Sequence, residues 1–107
     1  MTTIVFVGGD ERQTRALAAI APPEGILLIS IQPRWTCNWN KTLAEVERHA
    51  RRADALAIST DVPTLLGREL RRLARRNGIP WVAGRARGRE AILALIGKAA
   101  DVQHKAA

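Results

Sequence analysis

A chain of 107 residues and 11.7 kDa has room for one hydrophobic core and no second lobe. Its 17 Lys+Arg against 10 Asp+Glu leave a net charge of +7, while a hydrophobic content of 47% excludes disorder as the bulk state. One cysteine, Cys37, excludes an intramolecular disulfide and a cysteine-based zinc site, and no apolar run approaches the ~20 residues of a membrane span.

In chain order, four short apolar runs alternate with four segments of helical character. Met1 to Gly9 lack the basic start and long apolar stretch of a signal peptide, so a reducing cytoplasm is the expected compartment. The first strand is expected at Ile4-Val5-Phe6-Val7, followed by a Gly8-Gly9 turn and a helix capped by Asp10 with Gln13 three residues later. Pro22-Pro23 end that helix, and Ile26 to Ile31 form the second strand. A loop from Gln32 to Asn40 carries Trp35 and Trp39 around Cys37. The second helix is expected to open on a Thr42/Glu45 capping pair.

Ala55 to Ile58 supply the third strand, Pro63 opens the third helix and Asn77-Gly78 stop it. The fourth strand covers Ile79 to Ala83. Pro80 cannot donate to a ladder, so this strand starts there or lies at an edge. The last helix, roughly Arg89 to Ala100, places Ile92, Leu95, Ile96 and Ala99 on one stripe, and residues 101–107 are expected to fray.

The runs are continuous rather than alternating, which predicts strands covered on both faces of a parallel sheet. The expected fold is therefore α/β, a three-layer sandwich of order βαβαβαβα in a single domain over residues 1–100. Right-handed crossovers favour strand order 2-1-3-4. In such sheets ligands bind outside the carboxyl ends of the strands, where the order reverses. That rule nominates Gly8, Gly9 and Arg12 after the first strand, Thr60 and Asp61 after the third, and Gly84 after the fourth.

The blocks Ile4-Val5-Phe6-Val7-Gly8-Gly9, Ala53 to Asp61 and Asn77-Gly78-Ile79-Pro80-Trp81-Val82 resemble a family of small bacterial Rossmann-like, or flavodoxin-like, domains of unknown function. The resemblance spans nearly the whole chain and implies this fold. The family pattern has a His-Gly-type segment after the second strand and a Ser-His pair after the Thr-Asp; here those places hold Gln32-Pro33-Arg34-Trp35 and Pro63-Thr64. It therefore implies a fold and no reaction.

The basic residues are uneven in kind and place. There are 14 Arg and 3 Lys, and the stretch from Arg68 to Arg89 holds eight Arg against one acid, Glu69. Arg68, Arg71, Arg72, Arg75 and Arg76 fall within about 140° of arc on the third helix, opposite Leu66, Leu70 and Leu73. Arg48, Arg51 and Arg52 extend that stripe if the second helix lies alongside. Arg85, Arg87 and Arg89 converge with Gly84 and Gly88 on a helix start, a second phosphate-binding pattern. An Arg-rich coding bias, a simply solvated face or a surface for an acidic protein partner would also produce Arg runs.

Three functional readings follow. The first is a binding module for nucleic-acid phosphates, using the Arg face and the Arg85–Arg89 loop. The second is a nucleotide-like ligand at the strand ends. The third is a homodimer or interaction scaffold centred on Trp35 and Trp39, which could equally stack on a base. Trp81 is expected in the core. His49 within a helix, His104 in the tail and the isolated Cys37 form no catalytic constellation. Capping accounts for Asp10 and Asp61 without a metal, and no cofactor is expected.

Overall fold

The computed structural model describes residues 2–19, 25–33 and 39–106. Its elements are β1 (Thr2–Val7), α1 (Glu11–Ala19), β2 (Ile26–Ile31), α2 (Asn40–Ala50), β3 (Ala55–Ser59), α3 (Thr64–Arg76), β4 (Trp81–Gly84) and α4 (Arg89–Ala106). The four strands are all parallel, in the order β2-β1-β3-β4. The expected α/β sandwich with order 2-1-3-4 is the observed one.

Strand β1 is fully buried from Ile4 to Val7 because it lies inside the sheet and both of its faces are covered. Ile4 and Phe6 point into one half of the core, with Leu17 of α1 and Ile92, Leu95 and Ile96 of α4. Val5 and Val7 point into the other half, with Val46 of α2 and Leu66, Leu70 and Leu73 of α3. The first crossover runs one way from β1 and the next two run the other way. Constant right-handedness therefore puts α1 on one face and the α2–α3 pair on the opposite face.

Several boundaries differ from expectation for physical reasons. Helix α2 starts at Asn40 with no side-chain cap, and the Leu43 amide donates to the Trp39 carbonyl. Thr42 therefore does not cap: it lies in the first turn and is buried on the same stripe as Val46 and Ala50. Helix α4 runs to Ala106, past the expected end at Ala100, since no Gly or Pro interrupts residues 98–106. Strand β4 begins after Pro80, at the sheet edge. Strand β2 is the other edge, and there full coverage fails: Leu27 is 47% exposed. Trp81 is half-buried against the α2–α3 side of the core rather than enclosed by it. Pro22-Pro23 lie outside the described residues.

Candidate functional site

At the carboxyl ends of the strands, Gly8 and Gly9 both adopt positive φ, +90° and +80°. Neither has room for a side chain. A Cβ on Gly8 would sit 2.7 Å from Val62 Cγ1 and 2.9 Å from Asp61 Oδ1, and one on Gly9 would sit 3.0 Å from Phe6 Cε1 and 3.2 Å from the Ala86 methyl. The turn is thus gripped by the loops after β3 and β4. That grip uses the groups a phosphate would need. The Gly9 amide donates to Asp61 Oδ1 at 3.1 Å, and the Arg12 and Gln13 amides donate to Asp10 Oδ1 at 3.0 and 3.3 Å. Two carboxylates of the chain itself sit where an anion would be cradled.

The neighbouring loops are pinned in the same way. The Asp10 amide donates to the Ala86 carbonyl and the Thr60 amide to the Gly84 carbonyl. Ala86 is buried against the Gly9 turn, so Arg85 and Arg87 flank it as exposed residues, with Arg89 exposed at the first position of α4. Gln32 Nε2 donates to the Gly8 carbonyl and to Thr14 Oγ1, closing the turn from the β2 side. A recess of about 230 Å³ lies one strand over, between Thr60, Thr64, Gly67 and Arg71. Among the described residues no three His, Cys, Asp or Glu side chains cluster around a metal position.

The five arginines of α3 do not act as equals. Leu66, Leu70 and Leu73 are buried as expected, and the opposite face carries the guanidiniums. Arg71 folds down onto the sheet edge, its Cζ 5.5 Å from the centroid of the Trp81 ring, while its Nε donates to the Gly67 carbonyl. Arg72 pairs with Glu69 at 3.2 Å, and Arg76 pairs with Glu47 of α2. Glu47 is a partner that sequence spacing does not reveal, because it lies 29 residues away. Among the described residues, Arg68 and Arg75 are exposed without an ion-pair partner.

Helices α2 and α3 lie side by side on one face, as the extended stripe requires. Yet Arg48, Arg51 and Arg52 sit on the β2 side of α2, where they line a groove of about 1000 Å³ floored by Leu27 and Ile29. Sequence reasoning missed this groove. Its signal was the strand order itself, which makes the wholly uncharged β2 an edge.

Charge is therefore divided by layer. Residues 40–52 and 64–76, in and next to α2 and α3, hold nine basic side chains and three carboxylates. Helices α1 and α4 hold five and three. Arg85 and Arg87 belong to neither group: their loop leaves β4 at the carboxyl pole and leads into α4 on the opposite face from α3. The arginines at the end of α3 lie at the amino pole.

Trp39 is half-buried and packs against the α2–α3 half of the core. Trp35 and Cys37 lie outside the described residues. No helix among the described residues is long and apolar enough to cross a membrane. Neither family models, curated proteins nor solved structures provide a match to this chain.

Proposed function

We propose that this chain is a nucleic-acid-binding module whose α2–α3 layer contacts phosphates, with Arg68, Arg72 and Arg75 as the main contacts. The observation that carries this reading is the segregation of charge. A coding bias would distribute arginine over both helical layers, whereas eight of the 14 arginines lie in or next to α2 and α3 and three, Arg12, Arg15 and Arg89, in α1 and α4. Arg68 and Arg75 lie about 10 Å apart along the helix axis, roughly three base-pair steps of a duplex at 3.4 Å each. Such a row suits backbone contact with little base readout. The loop of Arg85, Arg87 and Arg89, which leads into the opposite helical layer, adds positive charge that steers approach.

The strand-end crevice supports a nucleotide less well, since its best amide donors are already bonded to Asp10 and Asp61.

The test is fluorescence polarisation with labelled duplex and single-stranded oligonucleotides over a salt series. Three to four phosphate contacts give a slope of log affinity on log salt of about −3 to −4 for duplex DNA. Arg68→Ala or Arg75→Ala flattens that slope by about 0.9 each. No binding at low ionic strength, or binding indifferent to salt, refutes the reading.

A further inference from the structure

The two edges of the sheet are built differently. Strand β4 is four residues long, follows Pro80 and ends on Gly84, features that discourage another strand from pairing. Strand β2 is six residues of sequence Ile-Leu-Leu-Ile-Ser-Ile, with no charge, proline or glycine. Among the described residues no strand pairs with its outer edge.

The ladder tells which backbone groups are left over. The Gly25 and Ile31 carbonyls accept from the Thr2 and Gly8 amides, so the odd-numbered residues of β2 face β1. In a parallel ladder successive residues alternate sides, which leaves Ile26, Leu28 and Ser30 each presenting an N–H and a C=O outward. Beside this edge lies the groove of about 1000 Å³, with exposed Leu27 and half-buried Ile29 as its floor. Its wall is Arg48, Arg51 and Arg52, none with an ion-pair partner among the described residues. The one carboxylate lining it, Glu47, is held by Arg76.

We propose that β2 is a docking edge at which an extended, acidic segment of a protein partner adds as a fifth strand. Alternating N–H and C=O groups at strand spacing are matched by another polypeptide, whereas a nucleic-acid backbone offers chiefly acceptors. A second copy of this chain would bring its own Arg48, Arg51 and Arg52 wall against the first. An acidic segment completes the groove instead: apolar residues at alternate positions lie beside Leu27 and Ile29, and carboxylates meet the arginines. The wall of this surface is Arg48, Arg51 and Arg52 and not the proposed phosphate contacts Arg68, Arg72 and Arg75, so different variants test the two readings.

The probe is a phage-displayed library of random dodecapeptides, panned on the full chain and counter-selected on Leu27→Lys. Enriched peptides carry acidic residues next to an alternating apolar pattern. A labelled enriched peptide binds at least tenfold more weakly to Leu27→Lys and to Arg48→Glu/Arg51→Glu, and within twofold of wild type to Arg72→Ala/Arg75→Ala. Ser30→Pro removes an outward N–H while sparing the ladder to β1, and it also weakens binding at least tenfold; it replaces Leu27→Lys if that variant does not fold. In hydrogen exchange, peptide slows the amides of Ile26, Leu28 and Ser30 at least tenfold and leaves Leu27 and Ile29 unchanged. Four outcomes overturn the proposal. They are no peptide surviving counter-selection, a bound peptide that leaves the three outward amides unprotected, a dimeric mass of the protein alone that Leu27→Lys abolishes, and an oligonucleotide complex lost on Leu27→Lys.

Discussion

The Gly9 amide and the Asp61 carboxylate, 52 residues apart in the chain, meet at 3.1 Å across the carboxyl ends of β1 and β3. With Asp10 capping α1, this contact makes the strand-end turn an anion site filled from within. Asp10→Ala/Asp61→Ala empties it. In chloride each substitution costs about 1 kcal/mol, through a lost cap and a lost bridge between loops. In dilute sulfate at matched ionic strength the double variant recovers part of its melting temperature, while the wild type does not respond. Equal behaviour of the two proteins in sulfate would show that the carboxylates hold the loops without standing in for an anion.

Among the described glycines, Gly8 leaves the least room for a side chain. Its φ of +90° disfavours any L side chain, and a Cβ there meets Val62 and Asp61 below 3.0 Å. Gly78 also has positive φ, +67°, but nothing lies within 4 Å of its would-be Cβ. Gly8→Ala is therefore expected to lose about 3 kcal/mol in urea denaturation, against about 1 kcal/mol for Gly78→Ala. Equal losses would mean that backbone strain alone, not the grip of the β3–α3 loop, sets the cost.

Arg71 and Arg75 separate structure from binding on one helix. Arg71→Ala removes the stack on Trp81 and the bond to Gly67, and costs about 1–2 kcal/mol of stability with the salt dependence of oligonucleotide binding unchanged. Arg75→Ala changes stability by less than about 0.5 kcal/mol, consistent with an exposed side chain, and acts on the salt slope instead. Paired melts and titrations of the two variants read both quantities. The opposite pattern would move the binding face to the edge of β4.

The architecture was readable because four apolar runs and four breakers leave few right-handed arrangements, and the Asp10 cap follows from local spacing alone. What escaped depends on neighbours distant in sequence. Five regularly spaced arginines look equivalent until Trp81 on the next strand draws Arg71 down and Glu47 on another helix takes Arg76. Thr42 reads as a cap from spacing, yet the buried stripe of α2 claims it. The dense block from Arg68 to Arg89 looks like one patch, but β4 carries the chain about 13 Å, for four residues, from the pole where Arg75 and Arg76 end α3 to the pole of Arg85 and Arg87. The apolar composition of β2 cannot reveal its exposed Leu27, because exposure there follows from edge position rather than from residue type.

The placement of β1 between β2 and β3 also sets a timetable for synthesis. Its first neighbour, β2, follows after one helix, but the side of β1 that will receive β3 must wait until Ala55–Ser59 leave the ribosome. At about 5–20 residues per second, the roughly fifty intervening residues take several seconds to add. For that interval the nascent chain carries Ile4 to Val7 as an unpaired apolar edge. The first half of the chain is thus the portion most dependent on a chaperone or on fast translation, although in the finished molecule Ile4 to Val7 are fully buried.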